Sequence, residues 1–307
     1  MKHNTKIVIT GGGGVLGSHL FKRLSREKNV EVLVLDKVIK NHYSRIKNVK
    51  FIKCDIAKAD DLKFLENADC VFHLACIKPE GGNSDISVSE FLKNIEMTVK
   101  VAESNKGAKI IYASGSNVYD IPLRIPIKEE SALKPTELYG LSKSCGEAIL
   151  KTFSEKYGWP LIVLRIANIY GPEFQREEGI LFKFFNQLSK NQILEIYDDG
   201  KQKRDRVWID DVTDAFILAM NRQVTGVFNI GSGESYSTLE VARLIGKFLN
   251  KEPKLIFIKN TNVKKENNLL DIQKARKVLN YNPKMNFKDG LRVILDSWGQ
   301  KHENHLY

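Results

Sequence analysis

Lys6-Ile-Val-Ile-Thr-Gly-Gly-Gly-Gly-Val-Leu-Gly-Ser-His-Leu20 is the stretch that decides the fold. A short apolar run breaks into four glycines, after which Leu16, Leu20 and Leu24 recur at helical spacing. The glycines fit G-x-G-x-x-G over 12, 14 and 17, and equally a register over Gly11, Gly14 and Gly17. In either register the first glycine makes the turn, the second lets backbone approach a pyrophosphate, and Gly17 packs helix on strand. Val15 and Leu16 open a helix whose N-terminus offers unpaired N–H groups and a partial positive charge to phosphate. Asp36 closes the next apolar run, 19 residues after Gly17. A carboxylate there accepts the ribose hydroxyls of NAD and repels the 2′-phosphate of NADP, so NAD is the expected cofactor. Lys37 beside it counts against strict exclusion of NADP.

Outward from this loop, short Val/Ile-rich runs alternate with amphipathic stretches. Strands are expected at Lys6–Thr10, Glu31–Asp36, Val49–Asp55, Cys70–Ala75, Lys109–Ser114 and Leu161–Ile166. Such nearly continuous apolar runs suit buried parallel strands, and the alternation builds an α/β fold with a Rossmann-type doubly wound parallel sheet. Helices are expected at 88–104 and 142–157, long enough to expose a second face and pair two copies as a homodimer. After about residue 170 the rhythm breaks at Gly171-Pro172. Helices near 179–190, 210–221, 238–250, 271–279 and 287–298 follow, with strands at Val227–Ile230 and Leu255–Ile258 and a polar loop from Asp198 to Gln202. The expected division is a cofactor domain over 1–169, with 205–231 returning to it, and a smaller interleaved α/β lobe over 170–204 and 232–307.

Composition sets outer limits. The 307 residues hold 48 Lys+Arg against 37 Asp+Glu, a net charge of +11, and 42% hydrophobic residues, far too many for a disordered chain. No apolar run approaches the roughly 20 residues of a membrane helix, so no membrane partner is expected. Met1–Lys6 leads straight into the first strand without a cleavage site, which makes cytoplasmic the default location. The cysteines at 54, 70, 76 and 145 form no C-x-x-C pair, and the six histidines show no ligand spacing, so no metal is expected. The lysines are scattered, with Lys201-Gln-Lys-Arg204 the longest basic cluster. That pattern argues against nucleic acid and suits an anionic small substrate.

Tyr139-Gly-Leu-Ser-Lys143 places a phenol and an ammonium four residues apart, on one helical face. A tyrosine with its ordinary pKa of about 10 is a poor base at neutral pH; a nearby ammonium lowers that value. Such a tyrosine takes the proton of a substrate hydroxyl while hydride leaves the same carbon for a nicotinamide.

With these residues in place the chain resembles the extended short-chain dehydrogenase/reductase family of NAD-dependent nucleotide-sugar epimerases and dehydratases, typified by UDP-galactose 4-epimerase. The resemblance spans nearly the whole chain. It rests on the glycine loop, Cys54-Asp-Ile56, Val71-Phe-His-Leu-Ala75, Tyr112-Ala-Ser-Gly-Ser-Asn-Val-Tyr119, Tyr139 to Lys143, Leu164-Arg-Ile-Ala-Asn-Ile-Tyr-Gly-Pro172, Gly200 to Asp205, Asp210-Asp211 and Phe228-Asn-Ile-Gly-Ser-Gly233. It implies NAD contacts at Val15, Leu16, Asp36, Asp55, Ile56, Leu74, Ala75, Cys76, Lys78 and Asn94, beside Tyr139 and Lys143. It also implies that Asn168 and Arg204 hold a nucleotide-diphosphate sugar, and that dimers form through a four-helix bundle.

Two departures from the family matter. The family's catalytic Ser or Thr is replaced by Gly115, which leaves Ser116, or Ser114, to polarise the sugar C4–O bond. Relatives place Asp and Glu, Glu, or Cys at the next two positions for dehydration, decarboxylation or fucose synthesis. This chain has Ser116-Asn117, which transfers no proton at C5. A second phosphate-binding Arg of the family is replaced by Thr261, with Lys264 and Lys265 nearby. The reading is therefore a nucleotide-sugar 4-epimerase working through a 4-keto intermediate. The alternatives are a 4-dehydrogenase or 4-ketoreductase that releases its product, and a non-catalytic NAD-binding or RNA-binding protein. Loops around 78–90, 120–130 and 173–180 would choose the sugar.

Overall fold

Six of the apolar runs and Gly226–Ile230 assemble into one parallel sheet. The computed structural model describes residues 4–39, 46–58, 62–79, 85–119, 125–174, 179–259 and 267–303. Its main sheet contains β1 (Thr5–Thr10), β2 (Val30–Asp36), β3 (Val49–Lys53), β4 (Cys70–His73), β5 (Lys109–Gly115), β6 (Leu161–Ile166) and, much later in sequence, β10 (Gly226–Ile230). The spatial order is β10-β6-β5-β4-β1-β2-β3, so the direction of winding reverses between β1 and β4. Ligands of open α/β sheets bind in the crevice at such a switch point, beyond the carboxyl ends of the strands.

One face of the sheet is covered by α1 (Val15–Leu24) and α5 (Ile209–Asn221), packed with Phe21, Phe72 and Phe216. Against the other lie α2 (Val88–Ser104) and α3 (Leu138–Tyr157), with Met97, Val101 and Leu150 in the core. Helix α2 starts with a reciprocal capping box, Ser87 and Glu90. Helix α3 starts at Leu138, four residues before the expected 142, and Glu137 gives it no side-chain cap. Its cap arrives from far away in sequence. Asp85 accepts the N–H groups of Leu138 and Tyr139 at 2.6 and 2.8 Å.

The second lobe is built from segments that carry little apolar periodicity. β7 (Asn168–Tyr170), β9 (Lys203–Trp208) and β11 (Ser235–Ser237) form a three-stranded sheet, and β8 (Leu194–Tyr197) pairs with β12 (Leu255–Ile258). Around them lie α4 (Ile180–Ser189), α6 (Thr238–Phe248) and α7 (Phe287–Glu303), sharing a core of Phe184, Trp208, Val241 and Trp298. The helix expected at 271–279 is reduced to a turn of π-helix over Ala275–Leu279. Among the described residues no helix is long and apolar enough to cross a membrane.

His19 on α1 fastens that helix to the start of α5. Its Nδ1 lies 3.1 Å from Asp210 Oδ1, and its Nε2 lies 3.2 Å from Glu173 Oε1 in a contact too bent for a hydrogen bond. The Asp210 bond is the largest influence on the imidazole and, with Glu173, outweighs burial to raise its pKa; the same bond lowers that of Asp210. A raised folded-state pKa gives stability that is complete below the unfolded value of about 6.5 and lost as pH climbs through the folded one. Because Asp210 is largely exposed, the clamp is worth about 0.5–1 kcal/mol. Wild type should therefore melt a few degrees above His19→Gln at pH 5.5 and level with it at pH 9. An equal gap at both values would remove His19 from this role.

Candidate active site

The strand order opens a cleft of about 920 Å³ between the lobes, running from the glycine loop to Arg206 and Trp298. At the cofactor end the backbone resolves the register of the glycines. Gly11 takes a left-handed φ of 72° and lies so close to β4's continuation that a Cβ would stand 2.6 Å from the backbone of Ala75. A Cβ on Gly17 would collide with the backbone of Gly12. Gly14 caps α1 and lines the cleft, where an added Cβ would meet only the Gly11 carbonyl at 3.5 Å, with no side-chain cap and no acid in the helix's first turn. A cradle with a bare glycine, unpaired first-turn N–H groups and no local negative charge fits a pyrophosphate. Asp36 lines the cleft beside it; its Oδ2 accepts the Gly13 N–H at 2.8 Å and its Oδ1 the Val38 N–H at 2.9 Å. Each oxygen keeps a lone pair for a ribose hydroxyl.

Val15, Leu16, Ile56, Leu74, Ala75, Cys76 and Lys78 also line the cleft. Two expected contacts do not. Asp55 pairs with Lys37 at 3.3 Å and accepts the Ala57 N–H. Asn94 is buried behind the wall, where its amide brackets Ile77, accepting from its N–H at 2.7 Å and donating to its carbonyl at 2.9 Å. It shapes the 76–78 segment rather than facing the cleft.

The floor at the carboxyl end of β5 brings together Ser114, Gly115, Ser116, Asn117, Tyr139 and Lys143. Lys143 is buried, donates to the Ala113 carbonyl at 2.8 Å and stands 5.9 Å from the centre of the Tyr139 ring. Burial pushes the Tyr139 phenol up, the reverse of the lowering expected from its lysine. The ammonium donates one of its protons to a carbonyl and stands 5.9 Å from the ring centre, and desolvation outweighs its attraction for a phenolate. Lys143 itself meets no carboxylate among the described residues, so its charge stays in the cleft. It also helps burial hold His73, bonded to Thr10 and Thr98, down to about 3 and neutral.

The two candidate serines differ. Ser114 donates its proton to Glu147, which is buried in an ion pair with Arg165 at 2.7 Å; that hydroxyl is committed away from the cleft. Ser116 accepts from Asn268 Nδ2 at 2.9 Å and keeps its own proton. Asn117 explains the glycine beside them. Its Oδ1 stands 2.6 Å from where a Gly115 Cβ would be, so its carboxamide fills the space of the missing side chain. Among the described residues that carboxamide makes no hydrogen bond.

On the opposite wall Asn168 lines the cleft, whereas Arg204 does not; Arg206, which motif reading missed, does. Its signal was available as a second cation at i+2 on a strand, but β9 itself was not legible. Asp85, Glu147 and Arg165 were also missed, since each acts through partners distant in sequence. Thr261, Lys264 and Lys265 lie outside the described residues.

A parallel sheet wound about a glycine turn, with a tyrosine and lysine at its carboxyl edge, defines a dinucleotide-dependent enzyme of the short-chain dehydrogenase class. The chain belongs to the NAD dependent epimerase/dehydratase family, which it matches over residues 7–231, and NAD is accordingly its cofactor. It is 30% identical to a putative UDP-glucose 4-epimerase of Methanocaldococcus jannaschii, over 94% of this chain and 97% of that protein. A crystal structure of UDP-glucuronic acid 4-epimerase from Bacillus cereus, in complex with UDP-glucuronic acid and NAD, superposes with a TM-score of 0.86, covering 97% of this chain and all of that one at 28% identity. The UDP-N-acetylglucosamine 4-epimerase of Methanobrevibacter ruminantium gives a TM-score of 0.85 at 26% identity, covering 98% of this chain and 100% of that one.

Proposed function

We propose that the protein is an NAD-dependent nucleotide-sugar 4-epimerase. One observation carries the choice among the family's chemistries: among the described residues that line the cleft, the single carboxylate is Asp36, at the cofactor end. Eliminating water across C5–C6 needs an acid and a base beside the sugar, and none of the described cleft residues supplies a carboxylate at the sugar end. Redox at C4 needs less. Tyr139 accepts the proton of the C4 hydroxyl, and Lys143 keeps a positive charge under the ring as the phenolate forms. Ser116 donates its free proton to the C4 oxygen, with the Asn117 amide beside it, and both stabilise the charge that develops there. NAD held at the glycine loop and Asp36 would supply the acceptor, and then the donor, of the C4 hydride. Once the 4-keto sugar has turned in the cleft and offers the opposite face of C4 to the returning hydride, Tyr139 gives its proton back to the C4 oxygen.

The direct test is proton NMR of the purified protein with a panel of nucleotide-sugars and no added cofactor. The C4 epimer should appear. A released 4-keto product, or reduced cofactor without epimer, would make the protein a dehydrogenase instead.

The working unit of this reading is a homodimer. Its support is the outer face of α2 and α3, where Val88 and Leu92 are 63% and 59% exposed and Leu141 is 38% exposed. Pairing two copies there buries an apolar stripe in a four-helix bundle. Sedimentation should give a dimer for wild type and a monomer for Leu92→Glu; a monomeric wild type would end the assignment.

A further inference from the structure

Arg206 is 8% exposed, lines the cleft, and has no carboxylate within salt-bridge distance among the described residues. One guanidinium nitrogen donates to two neutral acceptors, the carbonyls of Arg204 at 3.4 Å and Tyr236 at 3.2 Å, and the group lies 5.6 Å from the Phe287 ring centre. Its neighbour Asp205 is not its counter-ion. That carboxylate is turned to the N–H and hydroxyl of Ser232 and the N–H of Leu270, at 2.9, 2.8 and 3.2 Å. Burial first, then the like charge of Arg204, pull Arg206 down to about 10, which still leaves it a cation at neutral pH. A buried guanidinium held only by carbonyls is unfavourable until an anion joins it.

We propose that Arg206 is a substrate-binding residue that grips the diphosphate of the nucleotide-sugar. This rests on the nucleotide-sugar reading of the cleft. A guanidinium fork matches phosphate oxygens in pairs, and its several unused N–H donors are enough for that grip. Arg204 lies on the same face of β9, two residues away or about 6.7 Å along the strand, so although it does not line the cleft its like charge adds to the positive potential at Arg206. The diphosphate is the one anion every nucleotide-sugar brings. A hexuronate carboxylate is the other possible source, and the experiment separates them.

Binding of UDP, UDP-glucose and UDP-glucuronate to the NAD-loaded protein is measured by calorimetry for wild type, Arg206→Leu and Arg206→Lys, and melting is recorded with and without UDP. Leu should weaken all three ligands by roughly 10²-fold and Lys by about tenfold, since lysine keeps the charge without the fork. Bound NAD should be unchanged. Without ligand, Arg206→Leu should melt no lower than wild type, because an unpaired buried charge has gone, and the rise in Tm on adding UDP should vanish. A lower ligand-free Tm with unaltered affinities would make Arg206 a structural prop and overturn the proposal. So would UDP binding equal to wild type, or a loss confined to UDP-glucuronate, which would assign Arg206 to the sugar carboxylate. Wild-type binding without any epimer would sink the epimerase reading and leave Arg206 in place; a wild type that binds none of the three overturns both.

Discussion

Tyr139→Phe should lower kcat by about 10²–10⁴-fold while leaving NAD binding and folding intact. The phenol oxygen makes no hydrogen bond among the described residues, and α3 is held at this point by the backbone bonds of Leu138 and Tyr139 to Asp85. Removing the oxygen therefore removes the proton acceptor and little else. The pH profile carries an independent signature. Burial raises the Tyr139 pKa, so the base form is scarce at neutral pH, and wild-type turnover should rise from pH 7 to 9. The residual rate of the Phe variant should be flat over the same range. Ser116→Ala should lose roughly 10²-fold, the usual cost of one donor at a developing charge. Ser114→Ala should spare kcat, because its proton goes to Glu147. Turnover in Tyr139→Phe equal to wild type would end the mechanism.

Glu147→Ala should destabilise the protein by about 3–5 kcal/mol, read from urea unfolding. Both partners of the Glu147–Arg165 pair are nearly sealed from water, at 8% and 6% side-chain exposure. Arg165 donates Nε and Nη2 to the carboxylate and Nη1 to the Tyr119 hydroxyl and the Glu129 carbonyl, at 3.0 and 2.8 Å. Tyr119 passes its own proton to Asn229 on β10. The truncated variant leaves a buried guanidinium with no counter-charge behind the catalytic floor. Replacing both charges, as Glu147→Leu with Arg165→Met, should cost far less, since the expense lies in the orphaned ion. If the double variant were no better than the single one, packing rather than charge would hold the floor.

What could be read along the chain was local. The glycine turn, the Val/Ile runs and the i, i+4 pair Tyr139 and Lys143 declare themselves within a few residues, because turn geometry, strand burial and helix faces repeat over two to five positions. β9 did not declare itself. Lys203-Arg-Asp-Arg-Val-Trp208 has charges where a strand of the main sheet has valines, since it belongs to a small sheet at the cleft wall. The start of α3 was misplaced for a similar reason, its cap being Asp85 from another segment.

The sequence by itself determined the Rossmann-type architecture, the cofactor loop, and the tyrosine and lysine at its edge. Each is written in short-range spacing. Only the tertiary structure decided which hydroxyl is free and which cation lines the cleft. Ser114 is drawn off by Glu147, Asn117 fills the space over Gly115, and Arg206 rather than Arg204 lines the cleft. Those outcomes depend on partners far away along the chain, and on which stretch of a strand borders the cavity, and no local pattern records either.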